Sequence, residues 1–283
     1  MSRKVKDTIR YFFVYACTIL TVSVLFFLIG FILKNGFSYL SIGFLTNNYS
    51  VSDPNSGILP MIVGTLYIVV LSILIATPIS IFSALYLNEY AKDNKVTAVI
   101  RFAIDGLVSV PSIVYGLFGF ALFVTILAPI TGGYSILSGS LTLTIMILPT
   151  LIKTIEEALK TIPNDIREAS LALGASKTQT LFKVVLPSCL SGIITAIILG
   201  MGRVISESAP LMLTAGMVYF MPKGIMSSSR TLTTHLYYLA SEGIGESAKA
   251  QAYATATVLI IIIVLLNLLT KLVAKQIGKK VGK

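Results

Sequence analysis

Two charged residues stand where charge is costly. Arg203 and Glu207 lie inside a long apolar run that follows Pro187. Counted at 1.5 Å per residue, Arg203 falls close to the middle of a bilayer if that run is a membrane helix. A guanidinium at such depth costs about 2.5–3.5 kcal/mol on insertion scales, and residues of this kind face a cavity or a partner. Guanidinium presents paired donors that fit a tetrahedral oxyanion. Glu207, four positions on and on the same face of a continuous helix, would neutralise Arg203 when no anion is bound and weaken capture enough to permit release. The other reading is a self-neutralising i, i+4 ion pair that fixes the helix against its neighbours, although Arg before Glu is the weaker order for such a pair.

A second stretch is charged without being buried in the apolar pattern. Pro163-Asn164-Asp165 ends the preceding helix and offers an N-cap. Ile166, Ala169, Ser170 and Leu173 then recur at i, i+3, i+4 and i+7. Gly174 suits the left-handed residue that stops a helix, and Ser176 with Gln179 has capping-box spacing for another. Leu181, Val184 and Val185 follow before Pro187. The pattern predicts a helix–turn–helix at a membrane surface. Its periodicity alone would equally suit an amphipathic connector resting on lipid headgroups. Residues 174–178 are not a nucleotide-binding loop, because Gly-x4-Gly-Lys-Ser/Thr would need glycines where Leu171 and Ser176 stand.

The elements that position these residues are apolar helices. The chain has 283 residues, 55% hydrophobic and 12% charged, which places it among integral membrane proteins. A span needs about 20 apolar residues. Residues 11–33 carry no charge and form the first predicted helix, too long for a signal-peptide core and therefore retained. Residues 34–59 read as a loop with turn signals at Asn47-Asn48 and Asp53-Pro54-Asn55, and residues 60–87 as the second helix, kinked at Pro78. The run 106–152 has no charge and is too long for one crossing; Pro129, Gly132 and Gly133 divide it into helices over 106–128 and 135–155. The fifth helix covers 188–216, a polar external segment 217–249, and the sixth helix 250–270. The expected fold is all-α, with six membrane spans.

Sidedness follows from the basic residues. Seventeen of the 22 Lys and Arg fall in the N-terminus, the 89–105 loop, the 153–183 stretch and the C-terminal tail, all on one side of a six-span chain. Lys34, Lys223, Arg230 and Lys249 fall on the other. The positive-inside bias places both termini in the cytoplasm of a multi-pass cell-membrane protein. It also explains the net charge of +10 without nucleic acid. Cys17 and Cys189 sit in apolar runs and read as small buried hydrophobes, with no disulfide or metal motif. His235, the one histidine, reads as a surface loop residue, Arg230 as either a solvated loop residue or a contact for an external protein, while Tyr115 either lines a path or packs.

Residues 168–187, reading Glu-Ala-Ser, three residues, Gly174, nine residues, Val-x-Leu-Pro, resemble the EAA loop of ABC importer permeases, with Ser170 and Val184 as mild departures. Four further neighbourhoods are similar to the PstA-type permease of phosphate importers: residues 57–67, residues 86–91, Pro111-Ser112-Ile113-Val114-Tyr115-Gly116, and Gly202-Arg203 with Glu207-Ser208-Ala209-Pro210. The resemblance covers about 57–272. It implies a type I ABC importer permease fold, with a transmembrane domain over 57–274 set between an N-terminal segment (1–56) and a basic tail (275–283). It implies that the 164–187 loop docks a short helix into an ATP-binding cassette ATPase dimer at the cytoplasmic face, with Arg167, Glu168, Ala169, Ser170, Leu173 and Gly174 as candidate coupling residues. It places Arg203 in a route for inorganic phosphate, with Glu207 as the neighbouring path residue read above. The implied partners are a PstC-type second permease subunit and an external phosphate-binding protein, in a lipid bilayer; no cofactor or metal is implied, and the chain would hydrolyse no ATP itself. Sulfate or molybdate would satisfy the same arginine. A membrane enzyme would need clustered acid, base or nucleophile at depth, and a secondary anion transporter would leave the loop unexplained.

Overall fold

The computed structural model describes residues 3–50, 53, 56–92 and 94–281, and within them every regular element is a helix. Helix α1 (Arg3–Phe37) and the short α2 (Ile42–Thr46) precede α3 (Leu59–Leu85), which continues into a π-helical turn, Tyr86–Tyr90. Helices α4 (Lys95–Val108) and α5 (Ser112–Gly119) follow, α5 running on through π-helical residues Phe120–Ile126 to α6 (Ala128–Thr131). Next come α7 (Ile136–Lys160), α8 (Asn164–Ala172) and α9 (Lys177–Thr180), the last leading through π-helical Leu181–Val185 into α10 (Leu186–Ser188). The chain ends with α11 (Leu190–Ser206), α12 (Ala209–Thr214), α13 (Leu232–Ser241) and α14 (Gly245–Val281). Among the described residues four helices are long and apolar enough to cross a membrane, or up to six if each of two bent helix pairs counts as one span.

The core is the pairing of α3 with α7. Along α7, Leu143, Ile147, Leu151, Ile155 and Leu159 repeat every four residues and are essentially inaccessible. Along α3 the matching period carries Ile68, Ser72, Ala76, Ser80 and Ala84. A large-residue ridge thus meets a small-residue groove, the packing that brings helix backbones together where lipid supplies no hydrophobic drive. Ser72 Oγ donates to the Ser140 carbonyl (3.2 Å) and Thr144 Oγ1 to the Ser72 carbonyl (3.4 Å), fixing the register. Helix α11 crosses α7 where Gly192 meets Ala158 and Gly200 meets Leu151. Helix α5 closes on α7 and α12 at Gly119, where any Cβ would overlap the Thr142 side chain, and at Gly116, whose Cβ would stand 2.8 Å from Pro210 Cα. Helix α1 touches α14 through Phe31 on Tyr253 and Gly36 on Thr257, and the rest of its apolar surface is uncovered.

Several boundaries differ from those the sequence predicts. Residues 106–128 are not one continuous helix: α4 and α5 meet at Pro111 with a bend of 102°, because proline bars the residue before it from helical geometry. Residues 188–216 are likewise broken, α11 ending at Ser206 and α12 restarting at Ala209-Pro210. The 34–59 loop loses its first residues to α1 and contains α2, and the turn residues Pro54 and Asn55 lie outside those described. The 217–249 segment holds α13, and α14 extends well past Thr270 into the basic tail. Pro78 is accommodated inside an unbroken α3. Cys189 is buried as expected, but Cys17 is exposed on α1.

The first turn of α7 is buried, so its amides need partners. The left-handed residues Gly132 and Gly133 (φ +79° and +74°) turn the chain into Ser135, whose Oγ accepts from the Ser138 amide at 3.1 Å. The Ile136 and Leu137 amides donate to the carbonyls of Ser227 and Ile225 at 2.9 and 2.8 Å, so the connection after α12 caps α7. Gly119→Val should lower stability by roughly 1–3 kcal/mol through overpacking against Thr142, read as a lower thermal midpoint of the purified protein in detergent.

Candidate functional site

The charged stretch between α7 and α11 is built as two helices around one left-handed residue. Helix α8 starts directly after Pro163, which makes no side-chain cap; the Asn164 side chain instead accepts from Arg167 Nη1 at 3.4 Å. Gly174 takes φ +85°, a region costly for any residue with a Cβ, and turns the chain back. The capping box at α9 is complete: Ser176 Oγ accepts from the Gln179 amide (3.2 Å) and Gln179 Oε1 from the Ser176 amide (2.9 Å). Ser170 and Thr180 hydroxyls, 2.9 Å apart, tie the two helices together. Leu181 and Val185 anchor the return limb in the core.

The candidate coupling residues divide into two sets. Glu168, Ala169, Leu173 and Gly174 point outward; α8 buries none of its residues, and Leu173 is 89% exposed beside exposed Ile166 and Leu171. These side chains form an apolar ridge left uncovered on a charged loop. Arg167 and Ser170 turn inward instead. The Arg167 side chain, 14% exposed, donates to Glu89 Oε1 through Nε (3.1 Å) and Nη2 (2.9 Å), to the Leu159 carbonyl (3.1 Å) and to the Ile162 carbonyl (2.7 Å). Lys177 donates to the Glu89 carbonyl at 2.6 Å and lies over the Tyr90 ring. Neither Glu89 nor Lys177 stands out as a site residue in sequence, although Glu89 lies in the 86–91 neighbourhood and is the first charge after an uncharged run reaching back to residue 54.

Arg203 occupies the last turn of α11, where a cation is favoured by the helix dipole. Glu207 is the first residue beyond the helix, in extended geometry, so the two do not share a continuous helical face. Arg203 Nε and Glu207 Oε1 stand 3.8 Å apart, an ion pair too long for a hydrogen bond. Arg203 Nε is buried without a hydrogen-bond partner among the described residues. The Thr233 hydroxyl holds the Glu207 carbonyl at 2.8 Å, tying the break to α13. The outward face of α11 carries Ser191, Thr195, Leu199, Gly202 and Ser206 at helical spacing, with Arg203 at its edge. A hydroxyl-lined stripe ending at an incompletely bonded guanidinium can take an anion.

Three residues are placed otherwise than the sequence suggests, or where it left the choice open. His235 and Arg230 are not solvated: both are buried, His235 at the start of α13. Arg230 lies 4.2 Å from the Tyr238 ring centroid, donates from Nε to the Met217 carbonyl (3.2 Å), and places Nη1 3.4 Å from His235 Nδ1. Since guanidinium only donates, Nδ1 is the acceptor and the imidazole proton sits on Nε2. Burial first, and the Arg230 charge second, pull the His235 pKa down to about 3. Tyr115 packs, its hydroxyl bonding the Leu107 carbonyl (2.8 Å) across the α4–α5 bend.

Together these features define a multi-pass, all-helical membrane protein with a structured charged loop between α7 and α11. Residues 76–283 match the family of binding-protein-dependent transport system inner membrane components, and the chain belongs to that family, as an ABC importer permease subunit. It is 35% identical over 295 residues to the probable ABC transporter permease protein YqgI of Bacillus subtilis (strain 168), covering 99% of each chain. It is 30% identical over 241 residues to the phosphate transport system permease protein PstA of Haemophilus influenzae, covering 85% of this chain and 84% of that one. Its fold is similar to a chain in the crystal structure of a bacterial ABC transporter that imports the acidic polysaccharide alginate, with TM-score 0.65, 17% identity and full coverage of both. The fold is thus that of a type I ABC importer permease.

His235 gives a pH prediction. Its pKa is lowered in the folded state, so the unfolded chain takes up the proton first as pH falls. The stability it contributes is full above about 6.5 and declines below that value, by about 2 kcal/mol at pH 5. The thermal midpoint of the wild type should fall between pH 7.5 and 5, and His235→Gln should flatten that dependence.

Proposed function

We propose that this permease carries inorganic phosphate, and that ATP hydrolysed by separate ATPase subunits drives it through the 164–187 loop. In this reading a PstC-type partner supplies the other half of the path, an external binding protein delivers the anion, and residues 57–274 form the transporting domain. The basic residues favour the arrangement in which the loop and both termini face the cytoplasm. The PstA name of the Haemophilus relative supports phosphate.

The observation that carries the proposal is the state of Arg203. Its Nε has no hydrogen-bond partner among the described residues, its paired carboxylate stands at 3.8 Å, and it lies at the end of a hydroxyl-bearing face of α11. A tightly bonded structural pair would leave nothing for a ligand, whereas a loose one lets an oxyanion displace Glu207 and be displaced in turn. That exchange permits both capture and release. The outward Glu168–Gly174 surface meets the ATPases, and Leu173 supplies its most exposed apolar contact.

The test is labelled-phosphate uptake by the complete transporter in proteoliposomes. Uptake should require ATP, stop with vanadate, and resist competition by sulfate or molybdate. Arg203→Ala should cut it roughly 10- to 100-fold, the worth of one or two charged hydrogen bonds, with assembly intact. Uptake that survives vanadate, or that is competed equally by sulfate, would overturn the proposal.

A further inference from the structure

The loop is joined to the bundle by more than chain continuity. Continuity alone links it to α7 and, through Pro187, to α11. Its two helices also grip the π-helical turn that ends α3, from opposite sides of Gly174. Arg167 of α8 takes the Glu89 carboxylate, which also accepts from Asn88 Nδ2 at 2.9 Å. Lys177 of α9 takes the Glu89 carbonyl. The π-helical spacing, seen in the Ala91 amide reaching the Tyr86 carbonyl at 2.9 Å, adds a residue to the turn and rotates the chain beyond it. The same turn is held from behind: Arg101 of α4 donates to the Leu87 carbonyl (3.0 Å) and to Glu156 of α7 (3.1 Å).

We propose that Glu89 and Lys177, with Arg167, are positioning residues for transport. They lock the docking loop to the end of α3 so that loop movement drives α3 and α11 as one body. The inference rests on the reading of 164–187 as the ATPase-docking loop and adds the route by which its motion reaches the path. Both carboxylate and guanidinium are largely buried, at 12% and 14% exposure, and every Arg167 nitrogen has an acceptor. Parting such a pair strands two charges in a poorly hydrated site, so the contact resists opening. Helix α3 faces α11 within the bundle, and α11 carries Arg203. A loop pinned at both ends cannot tilt without carrying the anion site with it.

The experiment measures phosphate imported per ATP hydrolysed in proteoliposomes holding the full transporter. Glu89→Gln removes the charge but keeps the shape; Lys177→Met keeps the stem and loses the carbonyl bond, at an exposed position that tolerates change. Glu89→Gln should lower the ratio about tenfold and Lys177→Met several-fold, in the range of ordinary coupling free energies, with the ATPases still co-purifying. A merely structural role would change the amount of complex, not the ratio. An unchanged ratio in both variants would overturn the inference; if Glu89→Gln does not assemble, the Lys177→Met ratio decides. Leu173→Asp separates the underlying reading: it should release the ATPases. If they remain bound, the docking reading and this inference both fail; if they leave while the ratios stay normal, only the inference fails.

Discussion

The Arg167–Glu89 pair is the constraint on which the loop end of the molecule depends. A four-way bonded guanidinium takes a helix with no buried residues of its own and fixes it to the core. Without it, α8 would be a nine-residue amphipathic segment, short of the length at which isolated helices hold together in water. With it, the loop can leave Leu173 and its apolar neighbours uncovered and still keep one shape. The pair therefore lets the proposed docking surface be exposed and still held to the core. A rigid loop can pass on a push; a loose one would absorb it.

The bundle above the pair is suited to the same task. In lipid no hydrophobic drive holds helices together, so close packing and a few hydrogen bonds must. The Leu/Ile ridge of α7 in the small-residue groove of α3, with Ser72 and Thr144 bonded across it, makes those two helices a single unit. Glycines at 192 and 200 bring α11 onto the same unit. The helical path is interrupted at the bend near Pro111 and at Glu207-Ser208, each bridged by one hydroxyl, from Tyr115 and Thr233. Arg203 stands beside the second of these. A cation next to a helix break has a neighbour, Glu207, whose position is set by backbone that is not itself helical.

Much of this was legible in the residues. Charge-free runs marked the spans, and the Gly174 turn and the Ser176–Gln179 capping box were readable because local chemistry dictates them. The features that stayed hidden were non-local. Nothing in the order of residues says that Arg167 turns toward Glu89, 78 positions away, instead of facing outward with Glu168. Periodicity alone does not mark the break of 188–216 at Glu207; its local cause is Pro210, which has no N–H for the Ser206 carbonyl, while the Thr233 bond to Glu207 comes from another element. His235 and Arg230 lie in a polar segment, yet they are buried because α13 folds back and tyrosines 49, 219 and 238 enclose them. A solvated appearance in sequence gave way to tertiary packing.

The central claim is that the loop and the end of α3 move as one body. The most direct measurement is the distance between spin labels at Ala172 and Tyr86, both exposed, in the assembled transporter with Cys17 replaced by Ser. It would be taken in the nucleotide-free and vanadate-trapped states. The account predicts the same distance in both to within about 2 Å, the scale of an ordinary helix adjustment, whereas a change of about 5 Å, one helical turn, would contradict it.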